Sequence, residues 1–285
     1  MFWALLALLG AFCNAAYFAG VKKFLHNVNQ YVLISGVLLS SSIMLLLISL
    51  FRGIPILGEG FYTAVLCTAS LNFLAILLYL KALQKIDLSL AMPMLSFTPV
   101  FLVLTSFLLL NEVPTLGGLI GIILIVAGAY ILNLNKNGFL SPFKELFKNR
   151  YMGYMLLVAF IYSLSSNFDK MVVTSSDAFF GSGVIYMITG IAFFIIALVK
   201  TNNTLREYWR SGNKLILLGA ITVGEAAAVN TALSLQIVPY VISLKRVSIL
   251  FSVFFGGMLF HEKKMLQRSI GALIMVSGVA CILLL

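Results

Sequence analysis

Lys245 and Arg246 are adjacent cations, seven and eight residues into an apolar stretch that begins at Val238. At about 1.5 Å per residue they lie roughly 10–12 Å along a helix. Insertion scales charge ~2.5–3.5 kcal/mol for each such cation near a bilayer centre, so an unrelieved pair approaches ~5–7 kcal/mol. Lysine can snorkel toward an interface. Neighbouring helical side chains diverge by about 100°, however, so one escape route cannot serve both. A water-filled cavity that receives an anion gives the two cations a purpose.

The competing account is neutralisation by Glu225. A hairpin folded about Ile237 puts Asn230 level with Lys245 and Glu225 about one turn deeper, which permits an ion pair. Two cations against one carboxylate still leave a positive excess. Asn230, Lys81, Asn14, Tyr79 and Tyr162 join Lys245, Arg246 and Glu225 as candidate substrate contacts. Asn14, Asn72, Tyr79, Tyr162, Asn167, Asn230 and Tyr240 are weaker than the charged residues, because interhelical hydrogen bonds of ~0.6 kcal/mol explain each of them equally well. Asp169 and Lys170 read as an interfacial pair at the end of their span.

The elements that position these residues are apolar throughout. Hydrophobic residues make up 61% of the 285 and charged ones only 10%, with mean hydropathy +1.08. A soluble domain carries about 25% charged residues. Stretches near the ~20 residues needed to cross hydrocarbon fall at 2–21, 31–51, 62–82, 88–110, 115–134, 152–171, 180–199, 214–234, 238–260 and 266–285. An all-α integral membrane protein with ten transmembrane helices is expected.

The chain also repeats itself. At an offset of 150, Ala82, Leu83, Phe101, Val103, Leu109, Glu112, Gly121 and Gly128 fall on Ala232, Leu233, Phe251, Val253, Leu259, Glu262, Gly271 and Gly278. At an offset of 148, Ala11, Phe12 and Lys22 fall on Ala159, Phe160 and Lys170. Five spans per half is an odd number, so the second half starts on the opposite face and the repeats are inverted. Two near-degenerate packings then supply alternating access. The expected units are 1–134, a connecting loop at 135–151 with a surface-lying segment around Pro142, and 152–285; residues 200–213 form a second polar seam.

Fifteen basic residues, from Lys22 to Arg268, sit in loops on one face, against Arg52 and Lys170 on the other. The positive-inside rule puts the crowded face in the cytoplasm and both termini outside. The net charge of +10 is thus topological, and no basic, aromatic-interleaved stretch suggests nucleic acid. The first span reads as retained, not as a cleaved signal. No Gly-rich phosphate loop, His-Glu-x-x-His helix, catalytic triad or paired carboxylate occurs, so neither enzyme activity nor a cofactor or metal is expected. His26 and His261 read as solvated, and Cys13, Cys67 and Cys281 as small buried side chains.

Glu112 and Glu262 each end the fourth span of their half, where a carboxylate caps the following helix and meets its positive end. Gly121 and Gly128, like Gly271 and Gly278, are seven apart and share a face that admits a neighbouring helix. These six are structural candidates.

Pro99, the Glu112–Val113–Pro114–Thr115 turn and the Gly121/Gly128 pair together resemble the EamA-type drug/metabolite transporter superfamily over nearly the whole chain. In the second copy Ile249 replaces the proline and lysines follow Glu262. The resemblance implies ten helices in two inverted units around a central cavity, and substrates ranging from amino acids to nucleotide sugars and drugs.

Lys245–Arg246 in its span is also similar to the sugar-phosphate translocators, where such a pair grips phosphate with a bidentate fork and a point charge. Those relatives carry a further lysine where Leu95 stands here, with Lys81 the nearest substitute. The small multidrug relatives carry a membrane-embedded glutamate where Asn14 and Tyr162 stand here, so proton-coupled export of amino acids or cationic drugs ranks second, with Glu225 as the titrating group. A lipid-linked sugar flippase ranks third. The expectation is a plasma-membrane secondary carrier of a small phosphate- or carboxylate-bearing metabolite, with a proton as the one coupling ion considered.

Overall fold

In the computed structural model the chain is all-helical among its described residues, which are all except 25–27, 87, 134–143, 145, 147, 202–203, 253–254, 256–264 and 285. The first half holds α1 (Phe2–Phe24), α2 (Gln30–Arg52), α3 (Phe61–Leu83), α4 (Leu88–Leu95), α5 (Thr98–Leu110) and α6 (Leu116–Asn133). The second holds α7 (Arg150–Thr174), α8 (Ala178–Lys200), α9 (Thr204–Leu235), α10 (Val238–Lys245) and α11 (Met265–Leu284). Among the described residues seven stretches are long and apolar enough to cross a membrane, and Leu116–Leu132 and Ile270–Leu284 are shorter apolar helices. The stretch expected at 238–260 is described only to Ser252 and at Phe255.

Side chains set the helix starts. Asn29 Oδ1 accepts from the Tyr31 N–H (2.9 Å), Asn149 Oδ1 from Tyr151 (3.0 Å), and Asp177 Oδ1 from Phe179 and Phe180 (2.6 and 2.7 Å). Each fills donors that a helix leaves open at its first turn. The polar seam expected at 200–213 is mostly helix, because α9 begins at Thr204 and runs for 32 residues. At 1.5 Å per residue it spans about 48 Å, longer than the ~30 Å hydrocarbon layer. Its first turns therefore project from the core, with Trp209 93% exposed, a position suited to an interfacial ring. Cys67 is exposed on α3, not buried as expected.

The fourth expected span is broken at Ser96–Phe97. Pro99 has no N–H to offer the Leu95 carbonyl, and Thr98 Oγ1 donates to it instead (2.8 Å). The second half breaks at the repeat-equivalent place without a proline. There Val247, Ile249 and Leu250 donate to Leu244, Arg246 and Val247, three residues back, at 3.0, 3.0 and 2.9 Å. Lys245 and Arg246 occupy this break.

Packing follows the repeat. α1 lies on α9 as α7 lies on α3, and α4 meets α7 as α10 meets α1. α2 pairs with its counterpart α8, and α6 with its counterpart α11. In this last pair a Cβ on Gly121 would stand 2.6 Å from the Gly278 carbonyl oxygen, and one on Gly278 2.7 Å from that of Gly121. Gly128 and Gly271 face each other likewise, at 2.7 and 3.0 Å. The obstruction is backbone, which cannot rotate aside. Gly121→Val is therefore expected to cost at least the ~1–3 kcal/mol of core overpacking in thermal unfolding of the purified protein. Gly153→Ala, with nothing within 4 Å of the added carbon and inside a helix, is expected to hold or slightly raise the midpoint. Equal midpoints for both variants would contradict this packing.

Candidate functional site

The last turn of α10 brings Lys245 against the middle of α9, where its Nζ lies 2.7 Å from Glu225 Oε1. The same oxygen accepts from Asn14 Nδ2 of α1 at 3.0 Å. The Glu225 side chain is 11% exposed and that of Lys245 33%, so the carboxylate is sequestered while the ammonium keeps a route to solvent. A lysine in a final helical turn also faces the negative end of its own helix.

Arg246 follows in the break, while the ion pair of Glu225 is with Lys245. The Arg246 Nε is buried and has no hydrogen-bond partner. Tyr162 of α7 lies within electrostatic range of it. Tyr162 belongs to a group of phenols from four helices: Tyr17 of α1 lies within electrostatic range of Glu225, Tyr79 of α3 and Tyr162, and Tyr186 of α8 within that of Glu225, Tyr17 and Asp169. Each phenol can donate or accept. Together they line the charged centre with adaptable hydroxyls.

Asp169 completes the centre from α7. Thr68 Oγ1 donates to its Oδ1 (2.5 Å), and Lys245 lies within electrostatic range of it without an ion pair between them. Behind Thr68, Ser165 Oγ lies 2.8 Å away and donates to Asn72 Oδ1 at 3.0 Å. The interfacial pair expected of Asp169 and Lys170 does not form. Adjacent helical residues point about 100° apart, and Lys170 turns the other way.

The two halves match the model of the EamA-like transporter family over residues 1–134 and 149–284. The chain belongs to the EamA-like transporter family. One solved crystal structure superposes on this EamA-like transporter with a TM-score of 0.77, covering 98% of this chain and 94% of that one at 16% identity. That likeness concerns the fold alone. No curated protein matches the chain. Membership makes the protein an integral membrane transporter of the drug/metabolite type, with a small molecule and the bilayer as its partners.

Of the residues read from the sequence, the transporter gathers Asn14, Tyr79, Tyr162, Glu225, Lys245 and Arg246 at this centre. Asn230 is not among them: it donates from Nδ2 to Ser182 Oγ of α8 (2.5 Å). Five residues beyond Glu225 is about 500°, which leaves it some 140° around α9 from the carboxylate. Lys81 is exposed, with its ammonium 5.7 Å from the centre of the Tyr154 ring. It ends α3 at the surface. Glu262 lies outside the described residues. Tyr17, Tyr186 and Asp169 are the functional candidates that sequence reasoning missed. Tyr17 is one turn from Asn14, and Tyr162, Ser165 and Asp169 follow helical spacing, which was the available signal. Tyr186 carried none.

Glu112 does not cap the helix that follows it; Thr115 does, accepting from the Gly118 N–H at 3.0 Å. Glu112 reaches into the other half instead. Its Oε2 accepts from the Val238 N–H at the start of α10 (2.7 Å), and its Oε1 pairs with Lys170 Nζ at 2.5 Å. Lys170 also donates to the Gln236 carbonyl (2.7 Å), and Tyr240 Oη accepts from the Thr115 N–H (2.8 Å). Trp3 stacks on Tyr240 with ring centres 6.3 Å apart, which places the start of α1 at the same knot.

Proposed function

We propose that this transporter is a secondary carrier of a small anionic metabolite bearing phosphate or carboxylate. Its ten crossings form two inverted five-helix units, and rocking of the halves alternates access to a centre at Lys245 and Arg246 without ATP. The helix pairings that exchange under the repeat support that arrangement. The basic-residue bias supports a plasma-membrane orientation with both termini outside.

The observation that carries the substrate class is the unpartnered Nε of Arg246, beside Tyr162 and within a helix break. A charged donor buried without an acceptor is costly. Lys245 already has Glu225. A phosphate or carboxylate offers the guanidinium a bidentate acceptor, and the surrounding phenols can orient the rest of a polar molecule.

The test is uptake by reconstituted vesicles of labelled phosphorylated metabolites, dicarboxylates, amino acids and cationic dyes. Wild type is expected to carry at least one anion, and Arg246→Gln to reduce that uptake by about 100-fold or more while its unfolding midpoint holds. Undiminished uptake by a folded Arg246→Gln overturns the assignment. Amino-acid export is the second reading, favoured by Asp169, which gives a substrate ammonium a place to dock. Carriage of zwitterions in place of anions decides for it.

A further inference from the structure

We infer that Asp169 holds a dissociable proton, shared with Thr68 across the contact of α3 and α7, and that this proton is the coupling ion of the carrier. The holding of the proton stands apart from the choice of cargo; only the coupling rests on the proposed alternation of access. The proton count of one hydrogen-bonded chain carries the assignment. Asp169 Oδ1 and Thr68 Oγ1 are 2.5 Å apart, Thr68 Oγ1 and Ser165 Oγ 2.8 Å, and Ser165 Oγ and Asn72 Oδ1 3.0 Å. The Asn72 amide turns its Nδ2 to Thr68 Oγ1 (3.4 Å), which leaves Oδ1 for Ser165.

Three oxygen–oxygen contacts need three protons, and each of the two hydroxyls brings one. With Asp169 ionised, Thr68 gives its proton to the carboxylate and Ser165 gives its own to Asn72. The two hydroxyl oxygens then face each other at 2.8 Å with nothing between them. Thr68 and Ser165 are 0% and 2% exposed, so the mismatch is buried, where an unmade hydrogen bond is costly. A proton on Asp169 Oδ1 reverses Thr68. The carboxyl then donates to Thr68, Thr68 to Ser165 and Ser165 to Asn72, and every contact is filled. All three separations are those of O–H···O bonds, so the missing particle is a proton.

Among the described residues Asp169 has no ion pair to hold it ionised. Lys245 of α10 lies within electrostatic range but is paired with Glu225 of α9, and Lys170, next along α7, is bonded to Glu112. From α8, Tyr186 lies within the same range. The helices α4 and α5 bring no titratable residue, and Cys67, beside Thr68 on α3, is exposed. Thr68 belongs to the first half of the chain and Asp169 to the second. Rocking that parts α3 from α7 removes the acceptor of the carboxyl proton, which then leaves to the side that is open.

The test is infrared spectroscopy of the purified full-length protein at about pH 6, where an ordinary aspartate, with its pKa of ~3.9, is ionised. Wild type is expected to show the carbonyl stretch of a protonated carboxyl, Asp169→Asn to lack it, and Thr68→Val to move it, because the acceptor is gone. Thermal unfolding gives a second readout. The folded state holds a proton that the unfolded chain has lost, so the stability it adds is present at low pH and disappears as pH rises. Between about pH 6 and 8 the folding equilibrium of wild type is expected to weaken by up to about tenfold per pH unit relative to Asp169→Asn, whose amide donates to Thr68 at every pH. A wild-type spectrum without the band overturns the assignment. So does a band that persists in Asp169→Asn or, should that variant not fold, one unmoved in Thr68→Val. For the coupling, reconstituted vesicles are offered the same panel of solutes under a proton gradient imposed in each direction. Wild type is expected to accumulate its cargo severalfold in one of them and Asp169→Asn only to equilibrate it; equal accumulation by both overturns the coupling. An absent band beside an Arg246→Gln that loses anion uptake keeps the carrier reading and removes Asp169. The band in a protein that carries no anion keeps the proton and removes the cargo.

Discussion

Glu225→Gln is expected to destabilise the folded bundle by about 2–4 kcal/mol, the larger of the stability effects at the centre. Removing one partner of a buried ion pair typically costs ~3–5 kcal/mol, because the surviving charge stays desolvated. The upper end does not apply, since Lys245 remains one-third exposed. Glutamine keeps the volume and an acceptor for Asn14, whose 3.0 Å bond isolates the charge as the variable. Glu225→Gln/Lys245→Met removes both ions, and replacing a buried pair by apolar volume is often neutral or better. The double variant is expected to recover most of the loss, and unfolding of all four proteins of the cycle measures the coupling. A cost below ~1 kcal/mol for the single variant, or a double variant less stable than Glu225→Gln, would mean that the pair contributes as little as a surface one.

How much of this could be read in advance differs between elements. The Glu225–Lys245 pair was legible because both lie in adjacent spans joined by a tight turn, so counting residues gives their depth. The same count failed for Asn230. Depth is linear in sequence, but direction around the helix advances 100° per residue, and Asn230 points at Ser182 of another helix. The glycines of α6 and α11 could be found because their sevenfold spacing occurs twice, although nothing in one copy says that its partner is the other. Asp169 was misjudged by taking it together with Lys170, when adjacency on a helix separates side chains. Glu112 was read locally as a cap for α6. Its true acceptor role toward Val238 spans 126 positions, a distance over which only folded topology can inform. The break at Ser96 was signposted by Pro99, whereas the equivalent break at Arg246 has Ile249 in the proline's place and no such sign.

Separating Glu112 from Lys170 is expected to open the face where α5 and α7 end and α10 begins. The carboxylate sits on the first half of the chain, yet it caps α10 in the second and binds Lys170 of α7, which also holds the Gln236 carbonyl. Both side chains are largely buried, at 10% and 17% exposure. In the proposed rocking of the halves, a knot between them stabilises only the conformation in which it is tied. Loss of about 2 kcal/mol from that conformation alone shifts the balance toward the untied one by about thirtyfold. The effect should reach the centre, because α10 carries the capped Val238 at one end and Lys245 at the other, about 10 Å along the axis. The measurement places a reporter thiol at Tyr17→Cys in a protein lacking Cys13, Cys67 and Cys281, and follows its reaction with a membrane-impermeant reagent applied from the side on which α1 begins. Glu112→Gln, which keeps an acceptor for Val238, and Lys170→Met are each expected to raise the labelling rate about tenfold or more, with the midpoint of unfolding lowered by only a few degrees. Labelling unchanged in both folded variants would mean that the knot fastens the halves without governing access, since a tie that gates must, once cut, let the reagent through to the phenols beneath it.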